Sequence, residues 1–272
     1  MSAAGLPSLR AAAALVAAGF RRYATYRAAT FAGAFTNTFF GVVKVAILFA
    51  AAAAAGGEIA GYDRAALSTY SWIAQGMIAI ILVFARGDVA DRVRTGDIAI
   101  DLGRPVHPIL AWLAEDLGRA GQACLIRFFA PLAVGGLLFG LRVPEHVVTL
   151  PLFLLSGLLA VGVSFGSRLL VNLAAFWILD VRGLLTLYMV GSNVLSGLIV
   201  PLAFFPGWLK AISYATPFPW MLQAPVDIAV ERATGTEALL ALAAQAGWAA
   251  ALLALATLTL RRGTRRLVVQ GG

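Results

Sequence analysis

Long apolar runs separated by short polar intervals divide this chain into segments near the length a helix needs to cross a hydrocarbon layer, about 20 residues. Runs from Ala28 to Ala55, Leu67 to Ala85, Gln122 to Leu141, Val147 to Asn172, Gly183 to Phe204 and Glu237 to Leu260 predict six transmembrane helices. Ahead of them, within an N-terminal segment of residues 1–27, Arg10 precedes an apolar run from Ala11 to Phe20. Arg21, Arg22 and Arg27 then follow where a cleaved leader would need a neutral flank. The pattern predicts an amphipathic interfacial helix over 7–27, with Tyr23 and Tyr26 as anchors at the membrane surface. Residues 205–236 alternate short apolar pieces with Pro206, Pro217, Pro219 and Pro225, which predicts re-entrant or interfacial helices before the last span. Residues 86–119 form the longest charged interval, between spans two and three. The expected fold is an all-α integral membrane protein in which residues 1–272 make one domain.

Composition agrees with this pattern and excludes most soluble functions. Hydrophobic residues make up 61% of the 272 and charged residues only 12%, and the mean hydropathy is +0.87. Six crossings leave no tract for a separate catalytic domain within these residues. The net charge of +8 does not form a nucleic-acid face, because the basic residues flank apolar runs. Placed on the predicted helices, Arg10, Arg21, Arg22, the arginines of 86–119, Arg182 and the Arg261–Arg266 cluster share one side. Arg64, Arg142, Lys210 and Arg232 take the other. Both termini and the charged interval are therefore expected in the cytoplasm.

Little in the chain supports catalysis. Cys124 is the single cysteine, His107 and His146 lack zinc-site spacing, and neither Lys44 nor Lys210 follows a glycine-rich phosphate loop. Asp88, Asp91, Asp97 and Asp101 loosely resemble the paired aspartates of membrane CDP-alcohol phosphotransferases. Arg92, however, stands where that family has glycine, and the second pair follows too soon. Arg92, Arg94 and Arg104 supply these acids with simple charge partners.

Polar residues inside the apolar runs are the candidates for a translocation path. Lys44, Arg127 and Arg168 either line such a path or run their long stems out to the interface. Ser192 and Ser196 share a helix face beside Asn193, as lining residues or as close-packing ones.

In the charged interval, Pro105 and Pro108 stop one segment and open another. From Pro108 to Gly118, Ile109, Trp112 and Leu113 fall on one helical face. That stripe fits a groove on a partner, or packs beneath the chain's own spans. The elements Gly96-Asp97-Ile98, Asp101-Leu102 with Arg104-Pro105, and Trp112-Leu113 before Asp116-Leu117-Gly118 resemble the permease subunits of exporter-type (type-2) ABC transporters. The resemblance is to the bacterial branch often encoded as two permeases beside one ATPase. The run from Pro201 to Ile212 and the prolines at 217 to 220 resemble the outer segment before that family's last span. The EAA loop of importers is absent, since Asp116 and Leu117 follow Glu115.

The resemblance implies a non-catalytic exporter permease in the bacterial cytoplasmic membrane, carrying an amphiphilic, drug-like or lipid-like solute. Its implied partners are two ABC ATPase subunits, which hold the ATP and magnesium, a second permease that is a copy or a relative, and membrane lipid. No cofactor is expected on this chain. ATPase docking falls on a coupling helix carrying Ile109, Trp112, Leu113, Glu115 and Asp116, with Arg104 ahead of it. An ion- or proton-coupled carrier and a non-transporting scaffold are the alternatives; the first needs intramembrane acids that the predicted span centres lack.

Overall fold

A computed structural model describes residues 7–82, 87–178 and 180–266, which fold as helices joined by short turns. Arg86 and the ends of the chain, including the first residues of the expected interfacial segment, lie outside the described residues. Helix α1 (Leu9–Ala24) starts where the Ser8 side chain accepts a hydrogen bond from the Ala11 amide, and ends with Arg21 and Arg22 at the negative end of its dipole. Helix α2 is Arg27–Ala54, and α3 is Arg64–Ile80, whose first turn is capped by Asp63 accepting from the Ala66 amide at 2.8 Å. The charged interval folds into α4 (Asp88–Thr95), ended by Gly96 in the left-handed region at φ 85°, and α5 (Ile98–Leu102).

Helix α6 (Pro108–Ala123) continues through a π turn, Cys124–Phe128, into α7 (Phe129–Phe139). This corrects the expected layout, in which a coupling helix at Pro108–Gly118 stands apart from a span beginning at Gln122. Pro108 opens the helix, and nothing breaks it before Phe139. The π turn sits just ahead of Pro131, where a regular helix would set the proline ring against the carbonyl of Arg127. After α8 (Thr149–Leu173) and a short 3-10 turn come α9 (Arg182–Leu195), three short helices, and α13 (Gly235–Thr264). The three are α10 (Gly207–Tyr214), α11 (Phe218–Met221) and α12 (Gln223–Ala229), which fill the interval expected to be broken by proline.

Among the described residues four helices are long and apolar enough to cross a membrane: Arg27–Ala54, Pro108–Phe139, Thr149–Phe176 and Gly235–Thr264. The expected second and fifth spans are shorter, with 17 residues in α3 and 14 in α9. Helix α3 is the central post, for every residue from Ala66 to Ile80 is buried against α2, α6, α7, the π turn and α12. The main core joins Leu67, Tyr70, Met77 and Ile81 of this post to Phe128, Val161 and Val226. Helix α1 lies along α6 at backbone contact. A Cβ on Gly19 would stand 2.1 Å from the Glu115 carbonyl oxygen, and one on Gly118 would stand 2.0 Å from that of Val16. Only glycine permits this approach.

Candidate functional site

The start of α6 and the last turns of α8 and α13 form a seat for α4 and α5. Ile98 of α5 is fully buried in a cluster with Ile109 and Trp112 of α6, Phe165, Leu169 and Leu173 of α8, and Ala256 and Leu260 of α13. Two hydrogen bonds, through Trp112 and Asn172, tie the hairpin to this apolar seat. The Asp101 carboxylate, itself buried, accepts from Arg92 at 2.6 Å and from the Trp112 indole at 3.3 Å, with Arg104 3.5 Å away. The Asn172 side chain of α8 accepts from the Ala90 amide at 3.0 Å, capping the first turn of α4 from another helix. Burial and the nearby Arg261 hold the His107 imidazole below its ordinary pKa, which favours a neutral ring at this junction.

Deeper in, Asp116 takes Arg119 at 2.7 Å and Arg168 at 2.8 Å. Arg119 also donates to the carbonyls of Ala79 at 2.7 Å and Ile80 at 2.8 Å, the last turn of α3. Ser164 donates to the Ile81 carbonyl. The open carbonyl end of the central post is thereby closed by a cation and a hydroxyl, and α3, α6 and α8 are tied at one point.

The predicted docking residues therefore occupy a different position from an open contact face. Ile109 is 2% exposed and Trp112 6%, both turned onto the chain's own helices, and Leu113 lies at the margin of the same cluster. Glu115 lies under α1, and Asp116 is enclosed by its two arginines. Arg104 is half exposed at the rim. The open surface belongs to α4 and α5, where Asp91, Arg94, Asp97, Ala99 and Ile100 face outward and Ile100 is 64% exposed.

The predicted path residues separate likewise. Lys44 of α2 and Asn193 of α9 come together in a crevice of about 440 Å³, with Thr36, Asn37 and Gln75 as its other polar lining and Phe40, Ile47, Ile78 and Ile199 among its apolar walls. Arg168 is committed to Asp116, and Arg127 sits in the π turn against Gly33 of α2. Ser192 is buried and bonds back to the Met189 carbonyl at 3.0 Å; Ser196 is buried at the end of α9. Neither serine lines the crevice.

A family model described as ABC-2 family transporter protein matches residues 23–271. The chain belongs to the ABC-2 transporter family. No curated protein and no solved structure matches it. It is thus a type-2 ABC transporter permease subunit, a multi-pass membrane protein of a family whose ATP hydrolysis belongs to associated ABC ATPases.

Near the crevice of this ABC-2 permease lies a buried network whose members stand far apart in sequence. The Tyr70 hydroxyl lies 2.7 Å from the Gly197 carbonyl and 2.6 Å from Gln223 Oε1, with one proton to share between them. Gln223 Nε2 donates to Asp227 at 2.8 Å, and the Tyr62 hydroxyl donates to the same oxygen at 3.1 Å. Burial raises the pKa of Asp227 against the lowering effect of these two donors and of Arg232. Gly197 is held at φ 86°, and a Cβ there would meet Gln223 at 2.3 Å, so the chain after α9 can turn only on glycine. The signal for this network in sequence is faint: Gln75 and the hydroxyl residues Ser68, Thr69 and Ser71 in one apolar run mark α3 as a helix buried all round.

Proposed function

We propose that this ABC-2 permease is the membrane half of an ATP-driven exporter of amphiphilic or lipid-like solutes, and that α4 and α5 are the lever its ATPases move. The observation that carries the reading is the seat under that hairpin: Ile98, Asp101 and Asn172 join it to the cytoplasmic ends of α6, α8 and α13, while Ile100 and its charged neighbours stay open. Force applied at the open face reaches three long helices without passing through a flexible joint.

In this reading the chain crosses the bacterial cytoplasmic membrane six times. Helix α3 is the second crossing, and α9 with the irregular segment after it is the fifth. Both termini lie inside with the hairpin, in keeping with the arginines at Arg21, Arg22 and Arg261 to Arg266. An irregular segment at membrane depth is tolerable because protein covers it: Gly197, Leu198 and Leu202 find partners in Tyr70, Lys44 and Gln223. Two ATPases bind ATP and magnesium, and a second permease, a copy or a relative, completes the path. The crevice holding Lys44 and Asn193 is this chain's share of that path.

The test is co-purification of the ATPase with variants of the hairpin. Ile100→Asp abolishes recovery of the ATPase while membrane insertion stays intact, whereas Leu113→Asp spares it. Undiminished recovery with Ile100→Asp removes the docking assignment, and transport indifferent to ATP depletion removes the exporter reading.

A further inference from the structure

The crevice between α2, α3 and the chain after α9 holds a basic side chain with no acidic counterpart among the described residues. Of the residues that line it, Lys44 alone is ionisable at neutral pH. Its ammonium donates to the Leu198 carbonyl at 2.6 Å and stands 5.2 Å from the centre of the Tyr70 ring. Among the described residues no carboxylate reaches it within ion-pair distance, although Asp116 and Asp227 elsewhere in the molecule are each enclosed by donors. An ammonium has three protons to donate, and the carbonyl uses one of them.

A cation withdrawn from water without an anion is costly, and an anion brought to it removes the cost. The surroundings suit a particular kind of anion. Asn37 and Asn193 bring amide groups to the lining around Lys44, while Phe40, Val43, Ile47 and Ile199 make an apolar wall that is open on its outer side. The volume of about 440 Å³ lies within the range of small-molecule sites. By contrast, the larger recess of about 580 Å³ beside α7 and α8 is lined almost wholly by apolar groups and places its one arginine, Arg142, against Asp63. The polar cleft near α1 brings Arg22, Arg92, Arg119 and Arg168 beside Asp88, Glu115 and Asp116, and three of the four arginines are already paired, Arg92 with Asp101 and both Arg119 and Arg168 with Asp116.

We infer that the crevice is a binding site for amphiphiles with an anionic head group, carboxylate or phosphate, in which Lys44 Nζ engages the head and the wall from Phe40 to Ile47 receives the chain. Lys44 then exchanges part of its bond to the Leu198 carbonyl for the ligand, so that head-group arrival is felt at the irregular segment following α9. The inference rests on the reading of this crevice as part of the transport path, but binding to the purified chain tests it without an ATPase. Failure here leaves ATP coupling standing, and failure of ATP coupling leaves the binding result standing.

The test uses the full-length chain in a neutral maltoside detergent, with dodecanoate and dodecyl phosphate as anionic probes and dodecanol as the neutral one, each titrated by native mass spectrometry. Both anionic probes, or one if the site is particular to carboxylate or to phosphate, bind at least about tenfold tighter than dodecanol, the effect expected of one charge-assisted hydrogen bond. Lys44→Gln, which keeps a donor for the Leu198 carbonyl, abolishes that preference and leaves dodecanol binding unchanged; Lys44→Arg retains the preference. A wild-type chain that binds anionic and neutral probes alike overturns the inference. So does a Lys44→Gln chain that keeps the discrimination, or one that loses all three probes equally, which marks Lys44 as a backbone support.

Discussion

The seat beneath α4 and α5 and the Lys44 crevice both hold ionisable side chains among packed helices, and they treat them in opposite ways. In the seat every buried charge is matched: Asp116 sits between Arg119 and Arg168, Asp101 takes Arg92 and the Trp112 indole, and Arg119 spends its remaining protons on the end of α3. In the crevice one ammonium rests on a carbonyl and a ring. A fully satisfied network resists rearrangement, because moving any member strands another in a medium that penalises it. A half-satisfied cation, by contrast, invites a partner. The difference sets a fully paired network apart from a basic group with donors to spare.

The sharpest way to break this contrast is to remove the acid at the centre of the seat. Asp116→Ala leaves Arg119 and Arg168 buried without their anion and should cost about 3–5 kcal/mol. The chain should then melt far earlier in a detergent thermal-shift assay, whereas Lys44→Gln should change the melting point little. Equal losses would erase the distinction between the two regions.

Next in size is the crossing of α1 over α6. Gly118→Leu must force the backbones apart where a single Cβ would already stand 2.0 Å from the Val16 oxygen, at a cost of about 1–3 kcal/mol or more. Faster proteolysis near Arg21 and Arg22, with the remaining helices protected, is the expected sign that α1 has lifted.

Asn172→Ala removes the cap that α8 lends to α4 and should cost about 1 kcal/mol. Hydrogen exchange should quicken in α4 and leave α3 unchanged. An unchanged α4 would mean that the apolar seat alone holds the hairpin.

The smallest effect concerns the turn before α13 and depends on pH. Glu231 overcomes the cost of its burial by accepting from the Thr149 hydroxyl and from the Glu145 and His146 amides, which holds its carboxyl at about 2 instead of 4.5. A depressed acid contributes stability above its unfolded pKa and loses it as pH falls through the folded one. Wild-type melting should therefore decline between pH 4.5 and about 2 more steeply than that of Glu231→Gln, which should be less stable at neutral pH and nearly level through that window.

The all-helical membrane class and the family likeness were legible in sequence because they depend on local quantities: run length, proline and glycine placement, and the spacing around Gly96 and Trp112. The partners of polar residues were not. Asp116 and Arg119 can be paired by their spacing, but Arg168 reaches them from α8, and the contact between Tyr70 and Gln223 joins two segments still more remote in the chain. The stripe of Ile109 and Trp112 shows a different limit. Periodicity marks a face that must be covered, but whether a partner or the chain's own α8 and α13 covers it depends on where those helices lie. Ile100 was overlooked because the apolar piece Ile98-Ala99-Ile100 is too short to form a stripe.

The central claim, that the hairpin moves as one body with the helices beneath it, is tested most directly by electron-electron distance measurement between spin labels at Ile100 on α5 and Arg262 at the end of α13. The measurement is made in the assembled transporter with and without a non-hydrolysable ATP analogue, beside a second pair linking Ile100 to Phe31 of α2. A rigid seat predicts an unchanged distance from Ile100 to Arg262 and a shifted one from Ile100 to Phe31. Nucleotide that moves Ile100 relative to Arg262 would show the hairpin swinging on its own and contradict the lever.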